Sequence, residues 1–81
     1  MSEGELAGRV LDCRGLRCPA PIIRLGRALP EVTVGELIGV AATDVAARVD
    51  VPAFCRMRGQ TYAGETVADD GVPVYWVRRD T

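Results

Sequence analysis

Pro19 and Pro21, one residue apart and directly behind Cys18, fix more of this chain's conformation than any other short segment. Proline lacks a backbone N–H and has a fixed φ, so a helix tolerates it only in the opening turn. Ile22, Ile23, Leu25, Gly26 and Leu29 follow at spacings of three and four, which gives one apolar face. Pro19 to Leu29 therefore predicts a short amphipathic helix with Cys18 as its N-cap, ended by Pro30. A thiol there faces the positive end of the helix dipole and a free backbone donor such as Ala20 N–H, which together favour thiolate over thiol.

The remaining elements arrange themselves around this helix. Arg9 to Cys13 reads as a short strand and Arg14-Gly15-Leu16-Arg17 as the loop to the cap, with Gly15 able to take positive φ. After the turn at Gly35-Glu36, Leu37 to Ala42 is an almost continuous apolar run, the pattern of a buried central strand. Thr43 or Asp44 can cap a second helical segment with Val45, Val49, Phe54 and Met57 as core positions, Asp50-Val51-Pro52 restarting the turn and Arg58-Gly59 as its exit. Thr61 to Ala68 and Val72 to Arg79 are valine- and aromatic-rich, and Asp69-Asp70-Gly71 between them is a hairpin signal. Alternation on the last strand sends one of Tyr75 and Trp76 toward the helices and the other toward solvent.

The order βαβαββ predicts an α/β fold, a two-layer sandwich in which a four-stranded mixed sheet carries both helices on one face. Residues 1–8, polar and without period, read as a flexible N-terminal arm, and 9–81 as a single domain. A chain of 81 residues has room for one core and not two.

Composition removes several function classes. The ten basic residues are all Arg and lie scattered, which disfavours direct nucleic-acid binding. The longest apolar run falls far short of the roughly 20 residues a bilayer requires, so no membrane role is expected. Three cysteines with no C-x-x-C pair and no histidine make a poor zinc set, and neither metal nor cofactor is predicted. The odd cysteine count and an acidic N-terminus unlike a signal peptide fit a reduced, cytoplasmic setting.

Without histidine, no Ser-His-Asp or Cys-His couple exists. Activation of Cys18 falls to the helix terminus and to Arg14 or Arg17, settings that bring a thiol from ~8.5 into the range of roughly 3.5–7.5. The alternative is an inert thiol in a helix that happens to open this way. Arg14 and Arg17 either add positive potential or are solvated surface residues, and Asp12 either orients Arg14 or ends the strand. Cys13 is a packed strand residue or a resolving thiol for Cys18, and Cys55, behind Phe54, reads as core.

The run Leu11-Asp12-Cys13-Arg14-Gly15-Leu16-Arg17-Cys18-Pro19-Ala20-Pro21 resembles the signature of the TusA/SirA-like sulfur-carrier family. The similarity continues through Gly35-Glu36, the Asp44 region, Asp50-Val51-Pro52-Ala53-Phe54-Cys55 and the closing hairpin. It implies a two-layer sandwich that accepts sulfane sulfur as a persulfide on Cys18, with Asp12, Arg14, Gly15, Arg17, Pro19 and Pro21 as supporting residues. Implied partners are a donor, either a cysteine desulfurase or a rhodanese-like protein, and an acceptor in tRNA thiolation, molybdenum-cofactor maturation or sulfur oxidation. The chain would act as a sulfurtransferase-type co-substrate more than as a free-standing enzyme. Val45 departs from the proline that many relatives carry there. Two other functions remain open, a thiol-redox regulator in which Cys13 resolves oxidised Cys18 and a non-catalytic interaction module.

Overall fold

The computed structural model describes residues 6–81. Along the chain run β1 (Arg9–Cys13), α1 (Ala20–Ala28), a 3-10 turn (Leu29–Glu31), β2 (Leu37–Ala42), α2 (Ala47–Arg58), β3 (Thr61–Val67) and β4 (Pro73–Arg78). The strands form one sheet in the order β1-β2-β4-β3, with β1 and β2 parallel and the other pairs antiparallel. This is the mixed-sheet α/β architecture that the apolar periodicity predicts.

Alternation along the strands divides the interior in two. Leu11 and Cys13 on β1, Ile38, Val40 and Ala42 on β2, and Tyr75 and Val77 on β4 pack with Leu25 of α1 and Val51, Phe54 and Cys55 of α2. Burying a Leu, Ile or Val fully is worth about 1.5–3 kcal/mol each, so this layer dominates stability. Ala41, Val74 and Trp76 point to the other side of the sheet, where Leu6, Leu37, Ala63, Ala68 and Val72 pack around them.

Trp76 departs from the sequence expectation. Tyr75 does face the helices, but Trp76 is not solvent-facing: it is only 4% exposed, and its Nε1–H donates to Thr66 Oγ1 at 2.8 Å. Gly39 makes the room, because a Cβ there would lie 2.9 Å from the indole and 2.8 Å from Val74. Of the segment 1–8 read as an arm, residues 1–5 lie outside the described residues, and Leu6 packs against this second cluster.

The second helix is shifted in phase from its predicted core. Its buried stripe is Ala47, Val51, Phe54 and Cys55, whereas Val45, Val49 and Met57 are exposed at 79%, 69% and 83%. Spacings of four, three and one place the true stripe on one helical face. Asp50-Val51-Pro52 does not restart a turn: the helix passes through Pro52 unbroken. The missing amide of Pro52 removes one intrahelical bond at a half-buried position. Gly59, at φ 74°, closes the helix in the left-handed conformation.

Candidate functional site: the thiol at the start of the first helix

Because β1 and β2 are parallel neighbours, the loops leaving their C-terminal ends lie side by side. Three bonds join or shape them. Gly15 N–H, at a residue with φ 78°, donates to Thr43 Oγ1 at 2.9 Å, Cys18 N–H donates to Asp44 Oδ2 at 2.9 Å, and Leu16 N–H donates to Cys13 O at 3.1 Å. Asp44 Oδ1 in turn accepts from Ala46 N–H at 3.0 Å. The loop that presents Cys18 is therefore tied to the entrance of α2.

Cys18 is exposed, whereas Cys13 and Cys55 are buried, and all three are free thiols. The Cys18–Pro19 peptide bond is cis. The cap lies one residue later than the prolines suggest, at Pro19, with no side-chain capping bond. Ala20 N–H, the donor anticipated for the thiolate, is taken by Arg17 O at 2.8 Å. Pro21 is buried beneath the helix start.

The electrostatics also reverse the expectation from sequence. Arg14 turns away from the thiol and forms ion pairs with Asp70 at 2.8 Å and Asp12 at 3.0 Å, tying the end of β1 to the β3–β4 hairpin. Asp12 does orient Arg14, accepting from its amide at 3.1 Å as well. Arg17 is exposed and exerts its charge on Asp44. The groups acting on Cys18 are acidic: the Asp50 carboxylate first, then, after a contribution from partial loss of solvation at this exposed thiol, the charges of Asp50 and Asp44 push it up from 9.0. The hydrogen bond at Cys18 is made by its amide, to Asp44, while Asp50 lines the same crevice as the thiol.

Asp50 is the residue that sequence reading missed. In sequence it reads as part of a turn, and only the side-by-side start of the two helices brings it next to Cys18. Thr43 or Asp44 reads as the cap of α2, but the helix caps at Ala46 without a side-chain capping bond; Asp44 accepts from the Ala46 amide just ahead of it, and its bond to Cys18 required the tertiary fold. Beyond Cys18 a groove of about 540 Å³ opens between the helices, lined by Ile22, Ile23 and Gly26 of α1 and Ala53, Phe54 and Met57 of α2. Asp50 lines the cysteine end of the groove, while Arg27 and Arg58 line the end near the helix C-termini. Arg58 lies over the Phe54 ring at 5.1 Å. Among the described residues, no group of three His, Cys, Asp or Glu side chains is arranged to hold a metal, and no helix is long and apolar enough to cross a membrane.

The molecule is a two-layer sandwich that presents one thiol, Cys18, at a strand-to-helix loop and buries the other two. Residues 9–79 match the family described as Sulfurtransferase TusA, and the chain belongs to that family. It is 37% identical over 77 residues to the Sulfur carrier protein TusA of Pseudomonas savastanoi pv. phaseolicola, covering 95% of this chain and 90% of the relative. It is 38% identical over 69 residues to the protein of the same name from Pseudomonas syringae pv. syringae, covering 85% of this chain and 81% of that one. The crystal structure of a SirA-like protein from Desulfitobacterium hafniense superposes with a TM-score of 0.75 at 23% identity, over 91% of this chain and all of the other, and shares the fold.

Proposed function

We propose that this chain is a sulfur carrier that holds sulfane sulfur as a persulfide on Cys18 and passes it between proteins. The observation that carries this reading is the contrast among the three thiols. Cys18 is exposed on a loop fixed by Asp44, while Cys13 and Cys55 are buried. Family membership supports the same chemistry.

Loading is a balanced exchange. The Cys18 thiolate attacks the terminal sulfur of a donor persulfide, the donor's S–S bond breaks as the new one forms, and the donor departs as a thiolate that takes up the proton Cys18 lost. Unloading runs the same step with an acceptor thiolate as nucleophile and Cys18 as leaving group. Neither half requires an external oxidant or reductant. Donors of this chemistry are a cysteine desulfurase or a rhodanese-like protein, and acceptors include enzymes of tRNA thiolation. A reducing cytoplasm suits three unpaired thiols.

The direct test is intact mass after incubation with a cysteine desulfurase and cysteine, for wild type and Cys18→Ser. The expected result is one added reductant-labile sulfur atom in wild type and none in the variant. No gain from desulfurase, a rhodanese-like donor or polysulfide would overturn the reading. A gain that survives in Cys18→Ser would move the site elsewhere.

A further inference from the structure

The surroundings of Cys18 do not favour the anion it must form in order to react. Both oxygens of Asp44 are committed to amides. Asp50 shares with Cys18 a small crevice also lined by Pro21, Ile22, Asp44 and Ala47. The ion pairs among the described residues join Arg9 to Glu31, Arg14 to Asp12 and Asp70, Arg48 to Glu65, and Arg78 to Asp80, so Asp50 takes part in none of them. Arg24, on the neighbouring helix, donates to Asp12 O at 2.8 Å. Arg17 acts on Asp44, and Arg27 and Arg58 lie along the other end of the groove.

This arrangement is polarised. An apolar trough between α1 and α2 has a carboxylate beside the thiol at one end and two guanidinium groups at the other. Taking Cys18 as the carrier site, we propose that the reactive site is completed from outside: a protein partner lays an apolar segment in this groove and sets a Lys or Arg next to its own cysteine, where it pairs with Asp50. An acidic residue further along the same segment would meet Arg27 and Arg58, fixing the direction in which the segment lies. An added cation beside Asp50 offsets the charge that opposes ionisation and raises the thiolate fraction of Cys18 only within the complex. Alone, the protein keeps its exposed thiol protonated and slow toward other electrophiles.

The charge inference can be read without any partner. Wild-type protein is treated with a cationic trimethylammonium-ethyl and an anionic sulfonatoethyl methanethiosulfonate, each rate being divided by that for a free thiol of low molecular mass. Cys18 should prefer the cationic reagent by about tenfold. Asp50→Asn should remove most of that preference, Asp50→Lys should invert it, Asp50→Glu should keep it, and added salt should reduce it in wild type. Equal normalised rates in wild type, or a preference unchanged in Asp50→Asn, would overturn the inference. A second arm compares sulfur transfer from cysteamine persulfide, a cation, and 3-mercaptopropionate persulfide, an anion. The cationic donor should load Cys18 faster. If neither these persulfides nor a desulfurase, a rhodanese-like donor or polysulfide loads wild type while the methanethiosulfonate preference holds, the carrier reading fails and the acidic character of the site stands.

Discussion

The Cys18 amide donates to the Asp44 carboxylate at 2.9 Å across the gap between two loops that are 26 residues apart in sequence. One side chain thereby sets the position of the thiol-bearing loop and, through Ala46, the start of α2. These two amides and the nearby Arg17 charge hold the Asp44 carboxyl below its usual 3.8.

The pH dependence of this anchor follows from the direction of that shift. A carboxyl whose folded value is depressed stabilises the fold above its unfolded pKa and loses that contribution as pH falls through the lower folded value. The Cys18 amide should therefore keep its chemical shift and its protection from hydrogen exchange at pH 5, and lose both only below 3.8. Asp44→Ala should show the unprotected Cys18 amide already at neutral pH.

Native-state alkylation should distinguish the three thiols. Iodoacetamide should add one label, on Cys18, in native buffer and three in denaturant, because burial shields Cys13 and pushes Cys55 up to about 11. The Cys18 rate should climb about tenfold per pH unit through neutrality, with a midpoint above 9.0. A plateau near pH 7 would contradict the acidic surroundings.

Two Gly→Ala substitutions should act in opposite directions. At Gly39 the new Cβ would collide with Val74 and Trp76 at 2.8 and 2.9 Å, so chemical denaturation should show a loss of about 1–3 kcal/mol. At Gly26 the nearest atom is 3.8 Å away on Phe54, in ordinary contact. There, inside α1, alanine should add roughly 0.5–1 kcal/mol. It should also make the groove shallower, slowing transfer from a protein donor while leaving small-reagent modification of Cys18 unchanged.

Leu25→Ala removes a fully buried side chain between α1 and the sheet. The expected cost is about 2–5 kcal/mol by denaturant titration, with the upper part of the range applying where the site cannot collapse.

The sheet was legible in the sequence because its signals are local. Leu37 to Ala42 is apolar throughout, as a strand buried on both faces must be, and Asp69-Asp70-Gly71 marks the hairpin. The phase of α2 was not, because its exposed valines at 45 and 49 carry as much apolar character as the buried Ala47 and Val51. Pro52 also imitates a break that the packing of Val51 and Phe54 overrides. At the site, Cys18 stood out through its prolines, whereas its charge environment did not. Sequence proximity pointed to Arg14 and Arg17, but Asp70 draws Arg14 away, and Asp50 arrives from a helix 32 positions downstream.

The burial of Cys13 and Cys55 bears on throughput. On the proposed chemistry, a persulfide on Cys18 would meet no second accessible thiol within its own fold, so the cargo would have no internal route of discharge. Each molecule would then hold one sulfur atom per trip and wait for an encounter to release it. The pool of such a carrier would behave as a fixed number of seats: flux would be set by copy number and docking frequency, and a shortage of acceptor would appear as accumulating loaded protein.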